Sequence, residues 1–369
     1  MDHEHGRKQG VLLINLGSPN STDVEDVRAY LREFLGDERV IDVPAPVRAA
    51  VLELFILPFR PKRSAEAYEK IWTDDGSPLV LSTYAVADKL ADRVDVPVAV
   101  AMRYGDPSIA EGLRGLANRG VRDLLVVPLY PQYAQSSYET VAAKALEVAR
   151  EIAPRMRVTI QPPFYSAPDY IEALHTVASE HLEGVDYDVL LHSYHGIPER
   201  HIRKGDPSGT YCLNYQSCCE RPHPAQSMCY RHQCYETTRL FAERAGIPSS
   251  KLRVSFQSRL AGEPWLTPYT DKELERFPTD GIKRIAVMCP AFVSDCLETL
   301  EEIAMEGREE FMDAGGKEFV YIPCLNEHDA WIDVLERFVR DFRATRELVA
   351  LDGGASADAH DAHDEPAAQ

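Results

Sequence analysis

The sequence predicts an α/β fold of two doubly wound lobes, each built on a four-stranded parallel sheet. Short apolar, β-branched segments alternate with segments whose apolar residues recur at intervals of three and four, as in βαβ units. The strand segments barely alternate polar with apolar residues, which is typical of parallel strands covered on both faces. The predicted strands lie at residues 11–16, 96–102, 123–127, 157–161, 188–193, 251–257, 283–288 and 318–322.

Each half of the chain contributes four of these strands, and the length of 369 residues suits two domains. Segment 120–126 is echoed by segment 281–287, although any two buried βα units share such features. The predicted organisation is a flexible N-terminus at 1–9, a first lobe at 10–168, a second lobe at 169–325, a C-terminal helix at 326–345 and a disordered acidic tail at 346–369.

The composition limits the partners of the chain. It has 40 Lys and Arg residues against 59 Asp and Glu residues, a formal net charge of −19. Such a surface repels phosphate backbones, and no concentrated basic segment offsets it, so we expect no nucleic-acid partner. The first residues are polar and no apolar stretch approaches the roughly 20 residues that span a bilayer, so we expect a cytoplasmic protein.

A histidine-containing turn ends the fifth predicted strand, in the segment LHSYHGIPE at 191–199. His195 therefore lies at the carboxyl end of a strand, where ligands of doubly wound sheets bind. A histidine in this position can accept a proton near neutral pH or bind a metal. The alternative is a structural histidine in a turn.

An acidic helix follows the seventh predicted strand. Ser294 or Asp295 suits its N-cap, and Glu298, Glu302 and Glu306 are spaced so that they share one face. Like charges in a row destabilise a helix slightly, so the pattern favours a path for a divalent cation or for departing protons. The alternative is an acidic face exposed to solvent.

Aromatic side chains and an arginine follow other strands. Tyr104, Tyr130 and Trp265 would line the cleft with flat apolar surfaces, and Arg103 would add a positive charge. This combination suits a large, planar, anionic ligand. No Gly-x-Gly-x-x-Gly motif follows the first strand, so a dinucleotide-binding dehydrogenase is disfavoured.

Taken together, these motifs resemble those of the ferrochelatase family, over residues 11 to about 342. Six segments carry the resemblance in order along the chain. They are LINLGSP at 13–19, IWTDDGSPL at 71–79, YPQY at 130–133, HGIP at 195–198, FQSR at 256–259 and SDCLETL at 294–300.

The resemblance implies two Rossmann-like lobes that hold a porphyrin between them, and insertion of Fe²⁺ into it with release of two protons. His195 matches the family's histidine and Glu298 the family's carboxylate, so both would face the iron. Asp295 would orient this pair, and Glu302 and Glu306 would extend an acidic path for metal or protons.

The resemblance also suggests how the porphyrin is held. A wall including Tyr104, Tyr130 and Trp265 would distort the macrocycle, and Arg103 would suit a propionate. We expect protoporphyrin IX rather than coproporphyrin. The alternatives are a cobalt or nickel chelatase for another tetrapyrrole, and a non-catalytic haem or iron–sulfur carrier.

Five of the eight cysteines lie in an apparent insertion at 205–235. Four thiolates so close in the chain fit a Cys₄ site for a 2Fe–2S cluster or for Zn²⁺. Some members of the family carry an internal cysteine-rich segment with a 2Fe–2S cluster, which favours the cluster. The expected ligands are Cys212, Cys219, Cys229 and Cys234, with Cys218 as the alternative to its neighbour.

An apolar segment at 51–59 is followed by basic residues, within a predicted lip at 46–63. It is too short to span a bilayer but suits the surface of an anionic membrane. We therefore expect peripheral contact with the inner face of the cytoplasmic membrane, a buried helix being the alternative. The sequence leaves monomer and homodimer open.

Overall fold

The computed structural model describes residues 7–215, 217–259 and 262–355. It contains two four-stranded parallel sheets, and all eight predicted strands are confirmed to within a few residues. The strands are β1 (Gln9–Asn15), β2 (Val98–Met102), β3 (Asp123–Pro128), β4 (Arg157–Ile160), β5 (Val189–His195), β6 (Leu252–Gln257), β7 (Arg284–Met288) and β8 (Glu318–Tyr321).

The two sheets have the same topology. The strand order is β2-β1-β3-β4 in the first sheet and β6-β5-β7-β8 in the second. All pairings are parallel, so the carboxyl ends of each sheet's strands meet at one edge. The predicted α/β class with two four-stranded sheets is therefore confirmed.

Helices connect and cover the strands. The α-helices are α1 (Val24–Gly36), α2 (Ala45–Val51), α3 (Arg60–Ile71), α4 (Pro78–Arg93), α5 (Ile109–Asn118), α6 (Thr140–Ile152), α7 (Pro168–Leu182), α8 (Glu199–Lys204), α9 (Tyr230–Ala245), α10 (Thr270–Arg276), α11 (Leu297–Thr299), α12 (Arg308–Asp313) and α13 (Asp329–Ala355). Wider π-helical turns occur at Leu52–Ile56, Gln135–Glu139 and Leu300–Gly307, and 3₁₀ turns at Pro224–Met228 and Ser249–Lys251.

The last helix joins the two lobes. Trp331 of α13 is fully buried in a core that contains Leu13 of the first sheet and Leu190 of the second. Burial of this apolar surface from both lobes stabilises their relative position. Helix α13 continues past the predicted end at residue 345, and the remainder of the predicted tail, 356–369, lies outside the described residues, as do residues 1–6.

Within the described residues, none of the helices is both long and apolar enough to cross a bilayer.

Candidate active site

The carboxyl ends of three neighbouring strands of the second sheet form the candidate site. His195 is the last residue of β5, and it pairs with Gln257, the last residue of β6. The helix that carries Glu298 begins shortly after β7, which lies on the other side of β5. The parallel topology thus brings these three residues to one edge of the sheet.

Local contacts fix the orientation of His195. Its Nδ1 atom donates a hydrogen bond to the carbonyl of Gly196 at 2.6 Å, which leaves Nε2 of a neutral ring as the proton acceptor. A Cβ atom on Gly196 would lie 2.7 Å from the carbonyl oxygen of Gln257, so glycine is required for this close approach. Burial lowers the pKa of His195, and the nearby carboxylate of Glu298 opposes that shift. A neutral imidazole therefore lies within electrostatic range of Glu298.

Asp295 stabilises the loop before Glu298. Its carboxylate accepts hydrogen bonds from Thr299 (2.9 Å), Tyr321 (2.5 Å) and Asn326 (2.7 Å). These bonds join the start of the acidic helix to the loop after β8. The geometry thus connects Asp295 to Glu298 through the backbone.

Gln257 is a further site residue, which the sequence analysis missed. Its Nε2 atom donates to the main-chain carbonyl of Glu298 at 2.6 Å, and its own carbonyl accepts from the amide of Gly196 at 2.7 Å. Its Oε1 atom accepts from Ser193 at 2.7 Å. Gln257 thereby joins the turn after His195, through its main chain, to the loop of Glu298, through its side chain. Its position in the FQSR motif, directly after a strand, was the available signal.

Glu302 and Glu306 lie in the π-helical turn Leu300–Gly307. Glu302 lines a cleft of about 280 Å³ together with Glu306 and Glu310. Burial and the nearby carboxylate of Glu298 together raise the pKa of Glu302 to about 7, against the opposing effect of the hydrogen bonds from Ser258. π-helical turns often mark functional sites, because the wider turn displaces side chains from their α-helical positions. Glu302 can therefore exchange a proton near neutral pH.

In the structure, Asp37 engages the side chains of both Arg103 and Tyr104. The Arg103 guanidinium forms a buried ion pair with Asp37 and donates to Thr140 at 2.8 Å. The Tyr104 ring is 0% exposed, and its hydroxyl donates to Asp37 at 2.9 Å. Both side chains therefore belong to one hydrogen-bonded network around the carboxylate of Asp37.

Tyr130 and Trp265 retain unused polar atoms. In the part of the chain that the structure describes, the Tyr130 hydroxyl and the Trp265 indole nitrogen are buried without a hydrogen-bond partner. Trp265 pairs with Pro198, so it packs on the turn that follows His195. Tyr130 lies in the electrostatic field of Glu298.

Arg60 is a second residue that the sequence analysis did not select. Burial lowers the pKa of this guanidinium, whereas Glu298 and Glu302 raise it. The positive charge of Arg60 also lowers the pKa of His195, so Arg60 interacts electrostatically with both His195 and Glu298. Lys70, on the same helix α3, forms an ion pair with Glu301 at 2.5 Å. The first lobe thus supplies two positive charges to an acidic region of the second.

The predicted lip is attached to the first lobe by buried leucine side chains. Leu52 and Leu57 are buried in the core of the first lobe, whereas Leu54, Phe55 and Phe59 are 65%, 69% and 74% exposed. These three side chains form a protruding apolar patch, which we call the lip patch.

The cysteine-rich segment is compact. The Sγ atoms of Cys218 and Cys219 lie 3.9 Å apart, and Arg231 donates to both at 3.6 and 3.3 Å. Cys229 interacts with Cys219 and with Cys212. The fifth thiol, Cys234, is fully buried beside Tyr230.

No group of three or more His, Cys, Asp or Glu side chains in residues 7–215, 217–259 and 262–355 is arranged to hold a metal ion. The donor set of the cysteine-rich segment nevertheless fits a Cys₄ group. Several thiols converge beside Arg231, whose positive charge would offset that of thiolates.

The chain is an α/β protein with a chelatase-like fold. Acidic, imidazole and amide side chains lie together at the carboxyl edge of its second sheet. SirB from Bacillus subtilis with Fe³⁺ superposes with a TM-score of 0.52 at 14% identity, covering 92% of this chain and 97% of that chain. The sirohydrochlorin chelatase SirB from Bacillus subtilis subspecies spizizenii, in complex with cobalt, gives a TM-score of 0.51 at 11% identity, covering 91% and 95%. At these identities the similarity concerns the fold.

The sequence assigns the chain more closely. A family model for ferrochelatase matches residues 8–342, and the chain belongs to the ferrochelatase family. The ferrochelatase of Opitutus terrae is 54% identical over 335 residues, which is 90% of this chain and 97% of the relative. That of Stutzerimonas stutzeri is 46% identical over 330 residues, covering 89% and 96%.

Proposed function

We propose that this protein inserts Fe²⁺ into protoporphyrin IX, giving protohaem and two protons, with His195 and Glu298 as the reactive pair. Membership of the ferrochelatase family supports the reaction. The observation that supports these residues is the neutral imidazole of His195 at the strand end, in electrostatic contact with Glu298.

Two pyrrole N–H bonds must break as two Fe–N bonds replace them. The Nε2 atom of His195 accepts a proton, because its Nδ1 atom is already committed to the carbonyl of Gly196. Glu298 receives the ferrous substrate or the second proton. A carboxyl group with a pKa near 7, as in Glu302, passes protons onward to Glu306 and solvent.

The aromatic residues support a flat ligand at this edge. Tyr130 and Trp265 supply the wall, and Asp37 holds Arg103 and Tyr104 behind it. Arg103 would contact a propionate only with a guanidinium that Asp37 and Thr140 already engage. Arg60, which lies close to Glu298, offers a positive charge without such an opening.

We further propose that the cysteine-rich segment holds a 2Fe–2S cluster. Cys212, Cys219, Cys229 and Cys234 would be the ligands, with Cys218 as the alternative to Cys219. When bound, such a group supplies one-electron redox chemistry. Single Cys→Ser variants identify the ligands, because loss of a ligand removes visible absorption and iron, whereas loss of the spare thiol leaves both. A colourless, zinc-containing protein would contradict the cluster.

The lip patch supports peripheral membrane contact on the inner face of the cytoplasmic membrane. Exposed Lys62 and Arg63 lie next to it and would attract anionic headgroups. We expect flotation with vesicles that contain phosphatidylglycerol, and loss of flotation in the variant Leu54→Asp/Phe55→Asp. Met312→Asp, an exposed apolar residue on α12, is the matched control. Equal flotation of both variants would contradict the contact.

Porphyrin fluorescence tests the function. With Fe²⁺ in excess, we expect many equivalents of protoporphyrin IX to lose fluorescence per protein molecule, faster than coproporphyrin does. A change limited to one equivalent indicates a carrier instead. Turnover only with Co²⁺ or Ni²⁺ indicates the other chelatase class.

A further inference from the structure

The cysteine-rich segment packs directly against the strand end that carries His195. Cys212 and Cys229 share a buried apolar cluster with Tyr194 and Ile197, which flank His195 in the chain. The segment is therefore attached to the reaction centre through a common core, although its thiols lie outside the candidate active site.

Tyr230 makes the most specific contact between these two regions. Its hydroxyl donates to the main-chain carbonyl of His195 at 2.8 Å, and its side chain is buried. Tyr230 is the first residue of α9 and directly follows Cys229, which caps that helix. A displacement of Cys229 therefore changes the position of the Tyr230 hydroxyl.

Cys229 is in turn connected to the other thiols. Its side chain interacts with Cys212 and Cys219, and Arg231, two residues further along, donates to Cys219. Any group bound by these thiols would fix the start of α9. The path from the thiols to His195 then contains one hydrogen bond.

We propose that Tyr230 is a positioning residue that transmits the state of the cysteine-rich segment to His195 through this hydrogen bond. The effect on turnover rests on the proposed function; the effect on the backbone does not. A buried carbonyl without its donor must find another partner, so the end of β5 shifts when the bond is lost. The imidazole moves with it, because Nδ1 is bound to the next carbonyl in the chain.

Tyr230→Phe removes only the hydroxyl. We expect kcat to fall about tenfold while KM for porphyrin changes less than about twofold, since misplacement of a reactive group acts on the chemical step. Amide hydrogen exchange of peptide 193–199 becomes faster, and iron content and visible absorption stay at the wild-type level. The matched control is Tyr138→Phe, whose hydroxyl also donates to a main-chain carbonyl at 2.8 Å, that of Gln161 in the first lobe. It leaves kcat and this exchange unchanged.

A double-mutant cycle tests the transmission. Cys219→Ser, made in the full chain, lowers kcat and accelerates exchange of peptide 193–199 in the wild-type background. In the Tyr230→Phe background it adds little to either effect, because the connection is already broken. Additive effects of the two substitutions, or unchanged exchange of this peptide in Tyr230→Phe, would overturn the proposal. Amide hydrogen exchange of peptide 193–199 tests the transmission even where the wild-type protein shows no turnover. Failure of the proposed function is therefore distinguishable from failure of the transmission.

Discussion

The two lobes share one topology but differ at the ends of their central strands. Asn15 ends β1, and its side-chain amide donates to the Thr83 hydroxyl at 3.0 Å and accepts from the main-chain N–H of Leu16 at 2.9 Å. His195 ends the corresponding strand β5 with an imidazole nitrogen left free of the Gly196 carbonyl. The same scaffold therefore supports a closed polar network in one lobe and a reactive edge in the other.

The ends of β2 in the first lobe and β6 in the second lobe show the same contrast. Arg103, directly after β2, is held in an ion pair with Asp37, and the two side chains are only 12% and 5% exposed. Gln257, at the end of β6, uses its side chain to join two catalytic segments. At these strand ends, therefore, the polar side chains of the first lobe are held by local partners, whereas those of the second lobe join segments of the candidate site.

The largest expected effect comes from the two central strand ends. His195→Ala lowers kcat by about 10²- to 10⁴-fold, the usual contribution of a general base, while the free energy of unfolding changes little. Asn15→Ala does the reverse: it removes the buried donor to the Thr83 hydroxyl and the acceptor of the Leu16 amide, and lowers stability by about 1–3 kcal/mol. Steady-state kinetics and urea unfolding measure both variants. Comparable loss of kcat in both would remove the contrast between the lobes.

Arg103 distinguishes support from ligand binding. Arg103→Met leaves Asp37 buried and unpaired, so we expect a loss of about 3–5 kcal/mol in unfolding free energy. We expect KM for porphyrin to stay within about threefold of wild type, because Asp37 and Thr140 already engage the guanidinium. The double variant Asp37→Asn/Arg103→Met recovers part of the stability. A large rise in KM at unchanged stability would return Arg103 to the propionate role.

Gln257 tests how the reactive pair is held together. Gln257→Met keeps the volume but removes the bonds to Ser193 and to the Glu298 carbonyl, so we expect kcat to fall about tenfold with a smaller change in KM. Ser82→Ala, which removes a long hydrogen bond to Asn326 between the lobes, is the control. Unchanged kcat in Gln257→Met would show that the pair needs no such bridge.

The smallest effect concerns the other end of β5. The Arg284 guanidinium lowers the pKa of Asp188, just before this strand, to about 2. A lowered pKa stabilises the folded state above the ordinary carboxyl pKa, and this contribution is lost as pH falls through about 2. Asp188→Asn therefore costs about 1 kcal/mol at pH 7, given its exposure to solvent, and little near pH 2. A pH-independent difference in unfolding free energy would contradict this origin.

Sequence patterns were sufficient for the strands and for the placement of His195 and Glu298 at one edge of the second sheet; their role as a reactive pair stays a prediction. Each strand is a local apolar segment, and His195 and Glu298 follow two strands that a parallel sheet brings together. The ion pair between Arg103 and Asp37 was not predictable, because the two residues lie in different segments and only the tertiary fold brings them together. The same holds for the bond between Tyr230 and His195, and for the buried environment that raises the pKa of Glu302.

We expect His195 and Glu298 to act as one unit on a bound porphyrin. Single-turnover loss of protoporphyrin fluorescence, measured in His195→Ala, Glu298→Ala and the double variant, tests it most directly. Residues that act together are strongly non-additive, so the double variant should be about as slow as the slower single variant. Rate losses that multiply in the double variant would contradict the claim, because the two groups would then act independently.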